Sequence, residues 1–246
     1  MDVHLLAFGP HPDDVEIGMA ATLARHVALG AQVGLCDLTR GEMGSNGTPD
    51  ERVAEGEAAA RVIGAAWRVN LGLPDGALAP TRDQVTAIVE LVRRARPTCI
   101  AIPHAADRHP DHGAAHQLLR RAIFDAGLRR FAAAGDPWQP ALVCSYFVND
   151  ASEPTFVVDV SDVYGRKREA LACYRTQFQT DLPGSVATRL TSPLFTQLVE
   201  SRDAQFGARA GVQWAEGFVL HQTPRLAHLF AAAGLDLPAG ATQAAS

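Results

Sequence analysis

Val3-His4-Leu5-Leu6-Ala7-Phe8-Gly9-Pro10-His11-Pro12-Asp13-Asp14 opens with an apolar run that breaks abruptly into glycine, proline and metal-ligand side chains. The run reads as a β-strand and the break as a turn at its carboxyl end. The same grammar returns at Cys99-Ile100-Ala101-Ile102-Pro103, followed by His104-Ala105-Ala106-Asp107-Arg108-His109-Pro110-Asp111-His112. Turns that leave the carboxyl ends of strands can bring two distant segments into one crevice. Together the clusters hold more ionisable groups than three ligand positions need, which points to a site that does chemistry.

Outward from these anchors, short apolar runs alternate with helical patterns, the βαβ signature of a mostly parallel sheet. Strands are predicted at 3–8, 32–38, 67–71, 98–102, 141–148, 156–160 and 213–219. A helix is predicted at 16–30, where Ile17, Ala20, Leu23 and Val27 recur at helical spacing and Gly30 fits the stop. Further helices are predicted at 51–63, 83–96, 114–128, 162–178 and 195–206. Residues 40–50 and 180–193 read as loops, the first glycine-rich and of functional length. Residues 133–140 form a breaker-rich linker, and 239–246 are expected to fray. No internal repeat is present. The expected fold class is α/β, a Rossmann-like, mostly parallel sheet flanked by helices, with the site at the carboxyl ends of the strands. A single domain over 1–246 is expected, 1–130 forming the Rossmann-like half and 131–246 an extension packed on it.

A chain of 246 residues suits one large α/β domain. Its 47% hydrophobic and 20% charged residues are those of an ordinary globular enzyme. A net charge of −5 without a basic block argues against nucleic acid as the main partner. No run approaches the roughly 20 apolar residues that span a bilayer, and no signal-peptide pattern opens the chain. Cys36, Cys99, Cys144 and Cys173 form no CxxC pair, and the first three lie in apolar runs. They read as buried thiols in a reducing compartment. A cytoplasmic protein with no nucleic-acid and no membrane partner is expected.

Histidine and aspartate suit a borderline metal such as zinc, and a hydrolytic zinc site needs three protein ligands and an open position. His11 and Asp14, three residues apart, can face one metal from a tight turn, and His112 can reach it from the other strand end. Asp13, beside Asp14, is the natural base to take a proton as the nucleophile forms. His109 can act either as oxyanion donor or as acid, with Asp111 holding its ring in one tautomer and keeping it protonated. His-Pro-Asp-Asp alone would also suit a helix N-cap; a second His/Asp cluster at another strand end weighs against that. His104 and His116 read as lying behind the ligands or at the surface, and His4, His26, His221 and His228 as structural or solvated. No Gly-x-Gly-x-x-Gly follows the first strand and no Gly-x-Ser-x-Gly occurs, which disfavours a strict dinucleotide fold and a serine hydrolase.

Pro10-His11-Pro12-Asp13-Asp14-Val15-Glu16-Ile17-Gly18 and Asp107-Arg108-His109-Pro110-Asp111-His112 resemble the paired signatures of the LmbE-like (PIG-L) N-acetylglucosaminyl deacetylases. Leu6-Ala7-Phe8-Gly9, Cys36-Asp37-Leu38-Thr39, Ser45-Asn46-Gly47-Thr48, Asn70-Leu71, Pro74-Asp75, Gln177-Phe178 and Ala215-Glu216-Gly217-Phe218 resemble the bacillithiol-pathway branch. That branch removes acetate from N-acetylglucosaminyl-malate. The resemblance spans residues 3–220. It implies one zinc ion per chain held by His11, Asp14 and His112, Asp13 as general base, and the His109–Asp111 pair as the polarising or acid group. It also implies a homo-oligomer, the hexamer being frequent in the branch. A His₂Asp set equally suits iron, cobalt or manganese. One departure stands out: the branch carries a late-loop tyrosine, whereas Ser192-Pro193-Leu194-Phe195 offers no hydroxyl donor at that place.

A malate aglycone brings two carboxylates, so arginines are expected to meet it. Arg52 and Arg108 are the candidates, with Glu42, Asn46 and Asp75 as candidates for sugar hydroxyls. The expected function is zinc-dependent deacetylation of this small-molecule aminosugar conjugate. Alternatives are deacetylation of another N-acetylglucosamine conjugate or a mercapturic-type conjugate, or a non-catalytic sugar- or metal-binding module. The last needs neither a base nor an oriented imidazole.

Overall fold

The computed structural model describes residues 1–227 and Ala231. The expectations for His228 and for 239–246 fall outside these residues. One seven-stranded sheet carries the fold, in the order β3-β2-β1-β4-β5-β7-β6. Its strands are β1 (Leu5–Gly9), β2 (Val33–Asp37), β3 (Trp67–Asn70), β4 (Cys99–Pro103), β5 (Leu142–Tyr146), β6 (Phe156–Asp159) and β7 (Ala215–Leu220). The first five run parallel, and β7 is antiparallel to both β5 and β6. The helices are α1 (Asp14–Ala28), α2 (Pro49–Ile63), α3 (Arg82–Ala95), α4 (Pro110–Ala126), α5 (Tyr164–Ala172), α6 (Arg175–Phe178) and α7 (Pro193–Ala210). The Rossmann-like sheet reaches across residue 130, because β5 continues the parallel run and β7 and β6 extend the same sheet.

Burial on both faces explains why the central strands read as unbroken apolar runs. Leu6 and Phe8 of β1 join Ile100 and Ile102 of β4 in a core closed by α3 and α4. Leu5 and Ala7 join Ala101 on the opposite face, closed by α1, α2, α5 and α7. The alternation follows from the two-residue period of a strand. Strand order reverses between β1 and β4, which pair with Leu5 opposite Cys99 and Ala7 opposite Ala101. The two ligand-rich turns therefore emerge side by side at a topological switch point, where open α/β sheets bind ligands.

Three helices differ from the periodicity. Helix α1 is broken at Met19 (φ −153°, ψ 21°), and side chains from the far end of the sequence meet backbone groups on both sides of the break. The amides of Ala21 and Thr22 donate to the Glu216 carboxylate at 3.3 and 2.6 Å. The Ile17 carbonyl accepts from Arg202 Nη2 at 2.8 Å. Glu216 shares the wholly buried Lys167 with Asp203, both at 2.7 Å. Gly18 beside the break is obligatory, since a Cβ there would lie 2.1 Å from Tyr146 Cδ2. Helix α4 begins at Pro110 rather than at 114, because proline is preorganised for a first helical position. The helix expected at 162–178 is two, α5 and α6, separated at Cys173-Tyr174. All four cysteines are free, with Cys36 and Cys144 buried and Cys99, contrary to expectation, half-buried. Among the described residues no helix is long and apolar enough to cross a membrane.

Candidate active site

The site starts from a strained residue. Asp13, between β1 and α1, has φ 122°, a conformation costly for any residue with a Cβ and common only where surroundings enforce it. Arg52 of α2 does so. Its Nη2 donates to Pro12 O at 2.6 Å and to Asp13 Oδ2 at 3.1 Å, and its Nη1 to Gly41 O at 3.4 Å. Gly41 itself has φ 70°, and a Cβ there would lie 2.0 Å from Arg52 Nη1. Thr48 starts α2 with a capping box that includes Glu51, which fixes the helix carrying Arg52.

Asp14, the first residue of α1, gathers the histidines. The His11 amide donates to Asp14 Oδ2 at 2.9 Å, and His11 Nδ1 lies 3.1 Å from the same oxygen. His112 Nε2 lies 3.2 Å from Asp14 Oδ1. The carboxylate thus offers one oxygen to each ring. Behind His112, Asp107 Oδ1 stands 3.1 Å from Nδ1, although among the described residues this buried nitrogen has no partner along a hydrogen-bond line. Asp107 is held by the amides of His109 and Asn149, both at 2.9 Å, and by Asn149 Nδ2 at 3.0 Å. Behind His11, Nε2 lies 3.0 Å from Asp75 Oδ1 and 3.3 Å from Asp111 Oδ2. Met43 N fixes Asp75 at 2.8 Å and Gly76 N fixes Asp111 at 2.9 Å.

Asp111 therefore does not hold His109, contrary to the sequence expectation. Positions two apart at a helix start do not face each other, and its carboxylate turns to His11. Only the Asp111 backbone amide meets His109, donating to Nδ1 at 3.3 Å. That direction makes Nδ1 an acceptor and leaves the proton on Nε2. Nor is His109 kept protonated: burial, with His11 and His112 adding to it, lowers its pKa. Burial opposes charge on His112, but Asp14 and Asp107 outweigh it and push the ring to about 10. Burial likewise raises Asp14, yet His112 and His11 hold its carboxyl well below the usual carboxylate range. Burial pushes Asp13 up to about 7, against the lowering effect of Arg52.

The donor set fits a divalent cation. Carboxylates surround two imidazoles so that the cage favours positive charge, and a metal ion replaces ring protons at such a set. Around a tetrahedral metal with bonds of about 2.0–2.1 Å, neighbouring donors stand about 3.3 Å apart, close to the 3.1 and 3.2 Å from Asp14 to the two rings. Two groups with one ligand atom each, all within 4.8 Å of one another, are His11–His109–His112 and His11–Asp75–Asp111. His11 and His112 recur in the first. The expected His11–Asp14–His112 set is instead linked through both oxygens of Asp14.

A cavity of about 520 Å³ is lined by these residues and by Arg108, Arg189 and Phe195. The substrate candidates divide. Arg108 lines the cavity and is exposed; among the described residues only its backbone amide is engaged, by Asp150 at 2.7 Å. Arg52 is buried on Asp13 and two carbonyls. Asn46 exchanges hydrogen bonds with the Val186 backbone at 2.8 and 2.9 Å, pinning the 180–192 strap, and Gln177 donates to its carbonyl. Asp75 orients His11. Glu42 is exposed, does not line the cavity, and accepts from Arg40 N at 3.2 Å. His104 and His116 bond backbone carbonyls away from the cavity. Asp107, Asn149 and Arg189 were not foreseen. The Asp107 signal was its place five residues before His112; Arg189 had none beyond its charge.

A family model described as PIG-L, GlcNAc-PI de-N-acetylase, matches residues 6–123, which takes in both clusters. A 1D-myo-inositol 2-acetamido-2-deoxy-alpha-D-glucopyranoside deacetylase of Rhodococcus opacus is 30% identical, the alignment covering 70% of this chain and 81% of that protein. The chain belongs to the PIG-L (LmbE-like) deacetylase family. That family comprises N-acetylglucosamine-type deacetylases, so the chain is an amide hydrolase. A diacetylchitobiose deacetylase of Thermococcus kodakarensis is 29% identical over 89% of this chain and 86% of that protein. The crystal structure of a conserved protein from Thermus thermophilus superposes with a TM-score of 0.83 at 38% identity, covering 93% of this chain and 98% of that one. Within the deacetylase, the region matched by the family model holds His11, Asp13, Asp14, Arg52, Asp75, Asp107, His109, Asp111 and His112, while Asn149, Arg189 and Phe195 lie beyond it.

Proposed function

We propose that this deacetylase hydrolyses the N-acetyl group of N-acetylglucosaminyl-malate, using one zinc ion held by His11, Asp14 and His112. One observation carries the catalytic part: Asp13, with its carboxyl near neutrality, sits beside the Asp14 carboxylate that joins the two histidines. When bound, a divalent metal polarises the amide carbonyl and lowers the pKa of water to about 7. Asp13 takes the proton of the attacking water as its oxygen bonds the carbonyl carbon, and Arg52 keeps the carboxylate aimed. His109 Nε2–H donates to the developing oxyanion, in place of the late-loop tyrosine of the bacillithiol branch that the stretch Ser192–Phe195 lacks. Asp13 then returns its proton to the amide nitrogen as the C–N bond breaks, releasing acetate and a free amine. A group that titrates near 7 moves a proton in both directions with little loss.

The malate reading is supported by Arg108, a cavity-lining arginine with an unengaged side chain, and by the motif blocks shared with the bacillithiol branch. Acetate release across N-acetylglucosaminyl-malate, a diacetylchitooligosaccharide, an inositol conjugate and a neutral glycoside tests it, alongside metal content of the purified enzyme. The expected outcome is one zinc per chain and preference for the malate conjugate. Preference for a neutral conjugate overturns the aglycone, and metal-free turnover overturns the zinc.

A further inference from the structure

We infer that Arg189 is a specificity-determining residue that, with Arg108, reads an anionic aglycone carrying two carboxylates. This rests on the reading of the site as a deacetylase of an acidic conjugate. It assigns the second cationic contact to a residue on the 180–192 strap instead of to Arg52.

The cavity is lined by three arginines, Arg52, Arg108 and Arg189. Arg52 is buried, and its Nη groups are turned to Asp13 and to the Pro12 and Gly41 carbonyls. Arg108 and Arg189 are exposed and form no ion pair among the described residues. They come from unrelated segments, the turn after β4 and the strap between α6 and α7. Two unpaired guanidiniums on one cavity are fork-shaped donors for carboxylates.

Arg189 is also held in place. Asn46 fixes the strap three residues earlier, at Val186. Thr188 and Thr191 exchange three hydrogen bonds of 2.8–3.3 Å around it. Its own carbonyl accepts from Ser192 N at 3.3 Å. Its guanidinium lies 5.6 Å from the centroid of Phe195, which is buried and lines the same cavity. A cation over a ring face in this way leaves its N–H groups free. The opposing charge sits elsewhere: Asp13, Asp14, Asp75 and Asp111 cluster with the histidines. An acidic aglycone is repelled from that cluster and drawn to the arginines, so the acetamido end is presented to Asp13.

The test uses three conjugates whose aglycones carry no, one or two carboxylates, with kcat/KM measured for the wild type, Arg189→Ala, Arg189→Lys and Arg108→Ala. Free malate as a competitive ligand gives a binding readout separate from turnover. The wild type should gain with each carboxylate. Arg189→Ala should lower the two-carboxylate to neutral ratio roughly tenfold or more and weaken malate binding similarly. Arg189→Lys should recover part, since it keeps charge but not the fork. A strap that merely collapses would depress all three conjugates together and leave the ratio unchanged. A wild-type preference for two carboxylates that survives intact in Arg189→Ala overturns this inference and leaves the malate reading standing. A wild type indifferent to aglycone charge overturns both.

Discussion

In the proposed mechanism Arg52 sets how Asp13 titrates. Its Nη2 stands 3.1 Å from Asp13 Oδ2 inside the protein, and Coulomb's law at an effective dielectric of about 20 gives about 5 kcal/mol for that separation. At 1.36 kcal/mol per unit this caps the effect at about four pKa units, and water entering the vacated space brings it to about two. Arg52→Met removes the charge while keeping the volume. Loss of a neighbouring cation disfavours the carboxylate, so the Asp13 pKa rises. A base must be ionised, so the acid limb of kcat/KM moves to higher pH. A two-unit rise from about 7 cuts the ionised fraction at pH 7 from half to about one hundredth, a loss of roughly 50-fold that is regained toward pH 9. Arg52→Lys keeps the charge and should hold the limb within about a unit. Acetate release measured from pH 5.5 to 9.5 for all three proteins decides it. If Arg52→Met only lowers the height of the profile and leaves its acid limb in place, Arg52 is scaffolding and does not tune Asp13.

Other outcomes follow from the same geometry. Asp13→Asn should retain metal and fold yet lose roughly 10²–10⁴-fold in kcat; near-normal turnover excludes it as the base. Asp107→Ala should weaken metal affinity about 10–100-fold by freeing the back of the His112 ring, as read by competition with a chelator, and unchanged affinity counts against its orienting role. His221, which shares a 2.8 Å hydrogen bond with Ser145 Oγ, is lowered to about 4 by burial, with Arg120, His116 and His104 adding to it. The unfolded chain then takes up that proton first, so this contribution is whole above about pH 6.5 and lost as pH falls toward 4. His221→Gln should flatten the fall in Tm between pH 7 and 4.5, and superimposable curves would refute the linkage.

The parallel strands were legible because burial on both faces writes them as apolar runs, and both clusters were legible because they interrupt those runs. The first turn of α4 was hidden, since His-Pro-Asp-His reads as a polar loop while proline at the first position starts a helix. The break at Met19 had no glycine or proline at the residue itself, and its partners lie near the other end of the sequence. Partner choice was the least legible. Asp111 lies two residues from His109 in sequence but faces His11. Arg52 and Asn46 looked like free polar groups, yet both satisfy backbone and carboxylate partners that only the folded loops bring near.

The break in α1 ties the first turn of the site to residues near the far end of the sequence. The helix that begins with Asp14 cannot satisfy its own backbone until Arg202 and Glu216 arrive, 185 and 194 residues later in the sequence. During synthesis the strand and turn bearing His11 and Asp13 emerge long before these partners, so the aspartates wait on a helix with exposed amides and an uncapped carbonyl. A nascent or truncated chain lacking β7 therefore carries the ligand residues without the frame that aims them. The buried Lys167–Glu216–Asp203 contacts thus tie β7 to the helix that carries Asp14.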